Sequence, residues 1–315
     1  MNGVRFKAFV ALLVSVSGSV WSGGGTDAEP PYIGVAAAMF DDNWASYLHQ
    51  GIAVAAEELG ARISMVDGRN DPVIQADQIK AFIAEGVDAV LIIPANQDRI
   101  GPILDDCEAA GIPVVAANRA PPEPEFSRLA TYVGSDALSS GTMQAEAVAK
   151  LLEGRGDVAI MGGIAGHEAQ INRTKGNRAV FERYPDIRIV AEGLADWDRE
   201  KGFDLMEQWI LDGRHVDAVV ANNDEMAIGA IIAMDLYGTR DDVIVAGIDA
   251  TPEALKYMED GKLDVTVFQD AFGQGHGGLD AAIRAARGED LPPYIEIPYE
   301  LVLPPDRENY QARWE

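Results

Sequence analysis

The chain has 315 residues, 48% apolar and 24% charged, a balance that suits a soluble globular protein of two lobes rather than a disordered or fibrous one. Its 51 acidic residues against 25 basic ones give a net charge of −26, a field that repels phosphate backbones and anionic lipid and so argues against nucleic-acid or membrane-surface binding. A single cysteine, Cys107, leaves no intrachain disulfide and no Cys-rich metal cluster.

In chain order, Arg5 and Lys7 precede an apolar run at 8–16 and small residues around 17–22. These are the charged region, short apolar core and cleavage zone of a secretory signal peptide over 1–22, so the protein is expected to be exported. The run is shorter than a membrane span, and no Cys follows it, so a lipoprotein anchor is not expected.

After a polar spacer, solid apolar runs at 32–38, 63–66, 89–93 and 113–117 read as strands. Between them, Trp44, Leu48, Ile52, Ala55 and Leu59 recur every three or four residues, predicting a helix over 43–59 that Gly60 stops. Asp71-Pro72 offers an N-cap and a first-turn proline for a second helix that runs to Gly86. The cycle restarts with helices expected at 136–152, 172–184, 198–211 and 225–237, and strands at 158–161, 187–191, 216–221 and 243–247. A helix at 252–260, a strand at 263–268, a long helix at 271–286 and a strand at 294–303 follow. Strands followed by helices predict an α/β fold with doubly wound, Rossmann-like parallel sheets in two lobes.

Ligands in open α/β sheets sit beyond the carboxyl ends of the strands. There the sequence places Asp41-Asp42-Asn43-Trp44, Asn118-Arg119, His167 with Arg173, Trp197, Asn222-Asn223-Asp224, Asp249 and Gln269. Taken singly, Asp41, Asn222 and Asp224 read as helix N-caps. Taken together, carboxylates, carboxamides, guanidinium groups and two tryptophans are what a polyhydroxylated ligand requires: hydroxyls need donors and acceptors, and a sugar's C–H face suits an indole. Catalytic patterns are missing. His167-Glu168 lacks the second histidine of a zinc-protease helix because position 171 is Ile, and there is no nucleophile elbow or phosphate loop. Gly162, Gly163 and Gly166 do not make a dinucleotide fingerprint, and no calcium loop is present, so neither cofactor nor metal is expected.

Residues 32–303 resemble the sugar-binding type I periplasmic binding proteins, the ribose and galactose group that delivers to ABC importers. The opening Ile33-Gly34-Val35 leading to Phe40-Asp41-Asp42-Asn43-Trp44 is similar to the galactose type, and Gly162-Gly163-Ile164-Ala165-Gly166 to the ribose type. More specific are Ala221-Asn222-Asn223-Asp224-Glu225-Met226-Ala227-Ile228-Gly229-Ala230 and Gly247-Ile248-Asp249-Ala250-Thr251-Pro252-Glu253-Ala254. The resemblance implies an N-terminal lobe of 32–134 plus 269–293, a C-terminal lobe of 135–268 plus 294–303, and a tail at 304–315. It also implies a hinge of three segments near 134–135, 249–251 through 268–269, and 294–299, with the ligand held in the interlobe cleft and closure by hinge bending.

Residue by residue, the implied ligand contacts are Asp42, Trp44, Asn118, Arg119, His167, Arg173, Trp197, Asn223, Asp249 and Gln269. Ala38 and Ala169 stand where the galactose subgroup carries contacts, and 152–156 is too short for its calcium loop. Those departures favour a cyclitol such as inositol, a pentose-like sugar or a sugar alcohol over galactose. The implied partners are a small neutral sugar or polyol and an ABC permease in the inner membrane, with the protein a monomer. A chemoreceptor is the alternative downstream partner. The competing classes are a ligand-regulated transcription factor, opposed by the charge and the export signal, and an exported sugar-processing enzyme using Asp42 and Asp249.

Overall fold

A computed structural model describes residues 29–314; the expected signal peptide at 1–22 lies outside the described residues. The first half of the chain forms β1 (Tyr32–Ala37), α1 (Asn43–Leu59), β2 (Arg62–Asp67), α2 (Pro72–Glu85), β3 (Ala89–Ile92), α3 (Gly101–Ala110), β4 (Val114–Ala117) and β5 (Thr131–Gly134). Then come α4 (Ala137–Leu151), β6 (Arg155–Gly162), α5 (Glu168–Phe181), β7 (Asp186–Leu194), α6 (Arg199–Leu211), β8 (Ala218–Ala221) and α7 (Asp224–Tyr237). The last part holds β9 (Ile244–Ala246), α8 (Pro252–Glu259), β10 (Thr266–Phe268), α9 (Ala271–Ala286), β11 (Tyr294–Glu296), β12 (Glu300–Val302) and α10 (Arg307–Gln311).

The chain divides into two compact units, one running up to Val133 and joined by Phe272–Ile295, the other comprising Gly134–Ala271 and the residues from Glu296 on. The backbone thus passes between units at three places, after Val133, Ala271 and Ile295. The second passage falls a few residues later than the sequence suggests, and Asp249 and its neighbours lie wholly within the second unit rather than in a crossing segment.

In the first unit the strand order is β11-β5-β4-β3-β1-β2. β1 pairs in parallel with both β2 and β3, Ile33 standing opposite Ile63 and Ala89. All four residues of β3 and of β4 are buried, as a parallel sheet covered on both faces requires. Ile79, Phe82, Ile103 and Leu104 of α2 and α3 pack on Val90, Ile92 and Val114. α1 and α9 meet so closely that a Cβ at Gly275 would lie 2.0 Å from the Leu48 carbonyl oxygen.

In the second unit the order is β7-β6-β8-β9, with those pairs parallel. Alternate strand residues face opposite sides: Met161, Val219 and Val245 join Met206, Trp209 and Ile228 in one core, while Ile160, Val220 and Ala246 join Val148 and Phe181 in the other. In each unit the strand order reverses beside the first strand, β1 or β6, and the crevice beyond its carboxyl end is where such folds bind ligands.

Three expectations change. The strand read at 294–303 is two strands, β11 joining the first unit's sheet and β12 pairing antiparallel with β10, with Val267 opposite Leu301. Pro298 lies between them and has no N–H to continue a ladder. The segment read as a tail, 304–315, instead contributes α10, Tyr310 and Trp314 to the second unit's packing. Finally, α3 and β5 are elements that the sequence reading leaves out.

Candidate functional site

The second unit gathers most of the sequence-predicted residues around one buried guanidinium. Arg173 sits on α5 and is 4% exposed. One Nη donates to the Asn222 carbonyl oxygen at 2.5 Å; the other donates to Oε1 of Gln269 at 2.7 Å and to the Tyr299 hydroxyl at 2.8 Å. Asp249, 5% exposed, places a carboxylate oxygen 3.9 Å from the guanidinium. Burial works against the charge on Arg173, but Tyr299, Asp249 and Glu168 outweigh it and hold its pKa above the ordinary value. Burial also raises the Tyr299 phenol and the Glu168 carboxyl, each opposed by Arg173. Among the described residues, Nε of Arg173 is buried without a hydrogen-bond partner.

Trp197 forms one wall of this cluster. It takes a left-handed backbone conformation, φ 66°, and packs over Gly163, where a Cβ would lie 2.1 Å from the indole Cζ2. The guanidinium of Arg173 lies 5.7 Å from the ring centre, and the His167 imidazole meets the indole edge-on at 5.4 Å. His167 is the N-cap of α5, its Nδ1 accepting the Ala169 N–H at 3.1 Å, which leaves Nε2 to carry the proton of the neutral ring. Asn223 caps α7 through Oδ1, which accepts the Met226 N–H, while its Nδ2 donates to the Trp197 carbonyl at 3.2 Å.

The first unit contributes its own set. Asp42 caps α1, one carboxylate oxygen accepting the Ala45 N–H at 2.7 Å, and Trp44 stands half-buried in the first turn of that helix. Asn118, at φ 62°, donates through Nδ2 to Oε1 of Gln274, and its carbonyl accepts the Tyr132 hydroxyl at 2.9 Å. Arg119 donates to Oδ1 of Asn70 at 3.1 Å and to the Pro94 carbonyl at 3.2 Å.

Cap positions differ by one residue from the sequence reading: Asp42 and Asn223 cap the helices assigned to Asp41 and Asn222. Asn222 instead accepts the Thr174 hydroxyl. Asp224, fully buried, accepts the Thr251 N–H at 2.9 Å and the Thr266 hydroxyl at 2.8 Å, and burial pushes its carboxyl up to about 6. Sequence reasoning missed Tyr299 and read Asp224 as a helix N-cap rather than as a buried support of the Thr251 amide. Tyr299 lies 126 residues from Arg173 in a stretch that reads as a plain strand, and no local pattern marks it. Among the described residues no three His, Cys, Asp or Glu side chains are placed to hold a metal.

Strand order, switch-point loops and polar clusters at strand ends are joined by a match over most of the chain: the family profile described as periplasmic binding protein domain covers residues 33–290. The chain belongs to this family. A Rhizobium meliloti member named for rhizopine binding is 40% identical over 293 residues, 91% of this chain and 95% of that protein. A xylitol-binding protein of Mycolicibacterium smegmatis is 32% identical over 243 residues, 77% of this chain and 68% of that protein. Among solved structures, an ABC transporter solute-binding protein of Bacillus halodurans with bound myo-inositol superposes with a TM-score of 0.87 at 43% identity, covering 92% of this chain and 100% of that one.

Proposed function

We propose that the chain is the exported, periplasmic solute-binding component of an ABC importer, and that its ligand is a neutral cyclitol or polyol, myo-inositol first among the candidates. The observation that carries the reading is the buried Arg173 cluster, whose Nε has no partner among the described residues. A buried donor without a partner costs about 1–3 kcal/mol, which a ligand hydroxyl at that position would relieve. Asp249 accepts from hydroxyls, Gln269 both donates and accepts, and Trp197 covers a C–H face. The bound myo-inositol of a 43% identical structure and the xylitol-binding name of a relative support the same ligand class.

In this reading Asp42, Trp44, Asn118 and Arg119 also serve the ligand, whose binding energy stabilises the ligand-bound form. The ABC permease receives that form, and no covalent step is assigned to the protein. A thermal-shift screen tests the ligand class, because a ligand at 100-fold above its Kd adds about 2.7 kcal/mol of stability. Cyclitols and polyols should raise the melting temperature. A response confined to acidic sugars, amino acids or peptides overturns the reading.

A further inference from the structure

Asp249 and Ala250 follow β9 in backbone conformations that side-chain-bearing residues rarely adopt, φ 126° and 50°. Each costs of the order of 1–3 kcal/mol and persists only where the surroundings fix it. Three of the fixing bonds come from the body of the second unit. The Asp249 N–H donates to the Val267 carbonyl at 2.8 Å, the Ala250 N–H to the Thr266 hydroxyl at 3.1 Å, and the Thr251 N–H to the Asp224 carboxylate at 2.9 Å.

The fourth comes from the far end of the described chain. The Trp314 indole N–H donates to the Ala250 carbonyl at 2.7 Å, and Ala250 itself is fully buried, so its carbonyl has to find its partner within the fold or at the edge of the half-buried indole. Trp314 is itself held edge-on against Phe268 at 5.5 Å. Its neighbour Arg313 lies 4.0 Å over the same ring and pairs with Asp270 at 3.0 Å and Glu300 at 2.7 Å. The segment therefore grips the two loops that carry Asp249 and Gln269, one on each side of the Arg173 guanidinium.

We infer that the segment around Trp314 is a latch for the ligand site, and that Trp314 is a positioning residue whose indole N–H holds the strained Asp249–Ala250 turn in its binding conformation. The inference rests on the proposed role of Asp249 in ligand binding. Without the indole N–H the Ala250 carbonyl loses the donor that opposes rotation of its peptide, and the Asp249 carboxylate moves with it.

The test is Trp314→Phe in the purified full-length chain, which keeps an aromatic ring against Phe268 but removes the donor together with part of the ring area, the part that the control below reproduces. Trp209→Phe is the control: the same chemical change in the buried core of the same unit, on α6. Amide hydrogen exchange of the ligand-free protein and calorimetric titration with myo-inositol are the two readouts. The expected result is faster exchange at Ala250 and Thr251 and an affinity loss of about 5- to 30-fold for Trp314→Phe, the size of one buried hydrogen bond. Trp209→Phe should lower the urea midpoint yet leave affinity within about two-fold, since it removes packing and no site bond. Unchanged exchange at 250–251, or unchanged affinity with faster exchange, overturns the latch. If the parent protein gives no heat with myo-inositol, the ligand reading fails by itself, and the exchange arm still decides whether Trp314 fixes the turn.

Discussion

Replacing Arg173 by Lys keeps the charge and most of the stem but exchanges a planar fork for a single ammonium nitrogen. In the structure the two Nη atoms serve three acceptors: the Asn222 carbonyl, Gln269 Oε1 and the Tyr299 hydroxyl. An ammonium placed to keep one of them leaves two buried acceptors without their donor, at about 1–3 kcal/mol each. The ligand-free protein should therefore lose roughly 2–6 kcal/mol of stability in urea unfolding. Ligand affinity should fall as well, because Nε, the donor with no partner among the described residues, is also removed. One charge-assisted bond to a hydroxyl is worth about 1.5–3 kcal/mol, so titration with myo-inositol should show a loss of about ten-fold or more. A variant with the parent's urea midpoint and an affinity within two-fold would refute the reasoning, since both follow from the same three bonds and one vacant donor.

Gly163→Ala should push the Trp197 indole off its seat, because the new Cβ would fall 2.1 Å from Cζ2; tryptophan emission should shift and affinity weaken, and an unchanged spectrum with unchanged affinity would contradict the packing. Asp224 gives a pH signature. Its carboxyl, raised by burial from 3.8 to about 6, holds its proton more tightly folded than unfolded. This contribution is fully present below pH 3.8 and is lost as the pH rises towards about 6, a change of up to about 3 kcal/mol. Asp224→Asn should remove that decline from urea midpoints measured between pH 4 and 6, and parallel profiles for the two proteins would count against it. Affinity for myo-inositol should survive dialysis against EDTA, and a large drop would reveal a metal site.

Much of the scaffold was legible because it is written in local periodicity. The spacing of Trp44, Leu48, Ile52 and Ala55 and the stop at Gly60 mark α1 at the bounds the structure gives, and the capping Asp71 with Pro72 marks α2 equally well. β5 is only four residues long, and α3 is short and begins without a side-chain cap, so the sequence reading passes over both although Pro102 opens α3 and Gly111 ends it. The run at 294–303 alternates as one strand would, and only tertiary pairing assigns β11 and β12 to different sheets. For the site, strand-end position brought Arg173, Asp249 and Gln269 to attention, and the structure does place those three together. What sequence could not show is support across long separations: Tyr299 under Arg173, Asp224 under the Thr251 amide and Trp314 on Ala250, 126, 27 and 64 residues apart. Tyr and Trp at such positions read as ordinary packing until their polar tips are seen to find buried partners.

The central claim, that the Arg173 cluster binds a neutral cyclitol or polyol, is tested most directly by isothermal titration of the purified protein with myo-inositol beside the Arg173→Ala variant. The account predicts one site per chain with a Kd of about 1 μM or tighter, near −8 kcal/mol, and no detectable binding to the variant at the same concentrations. Absence of heat with myo-inositol, xylitol and ribose alike, or parental affinity in a folded Arg173→Ala protein, would contradict it.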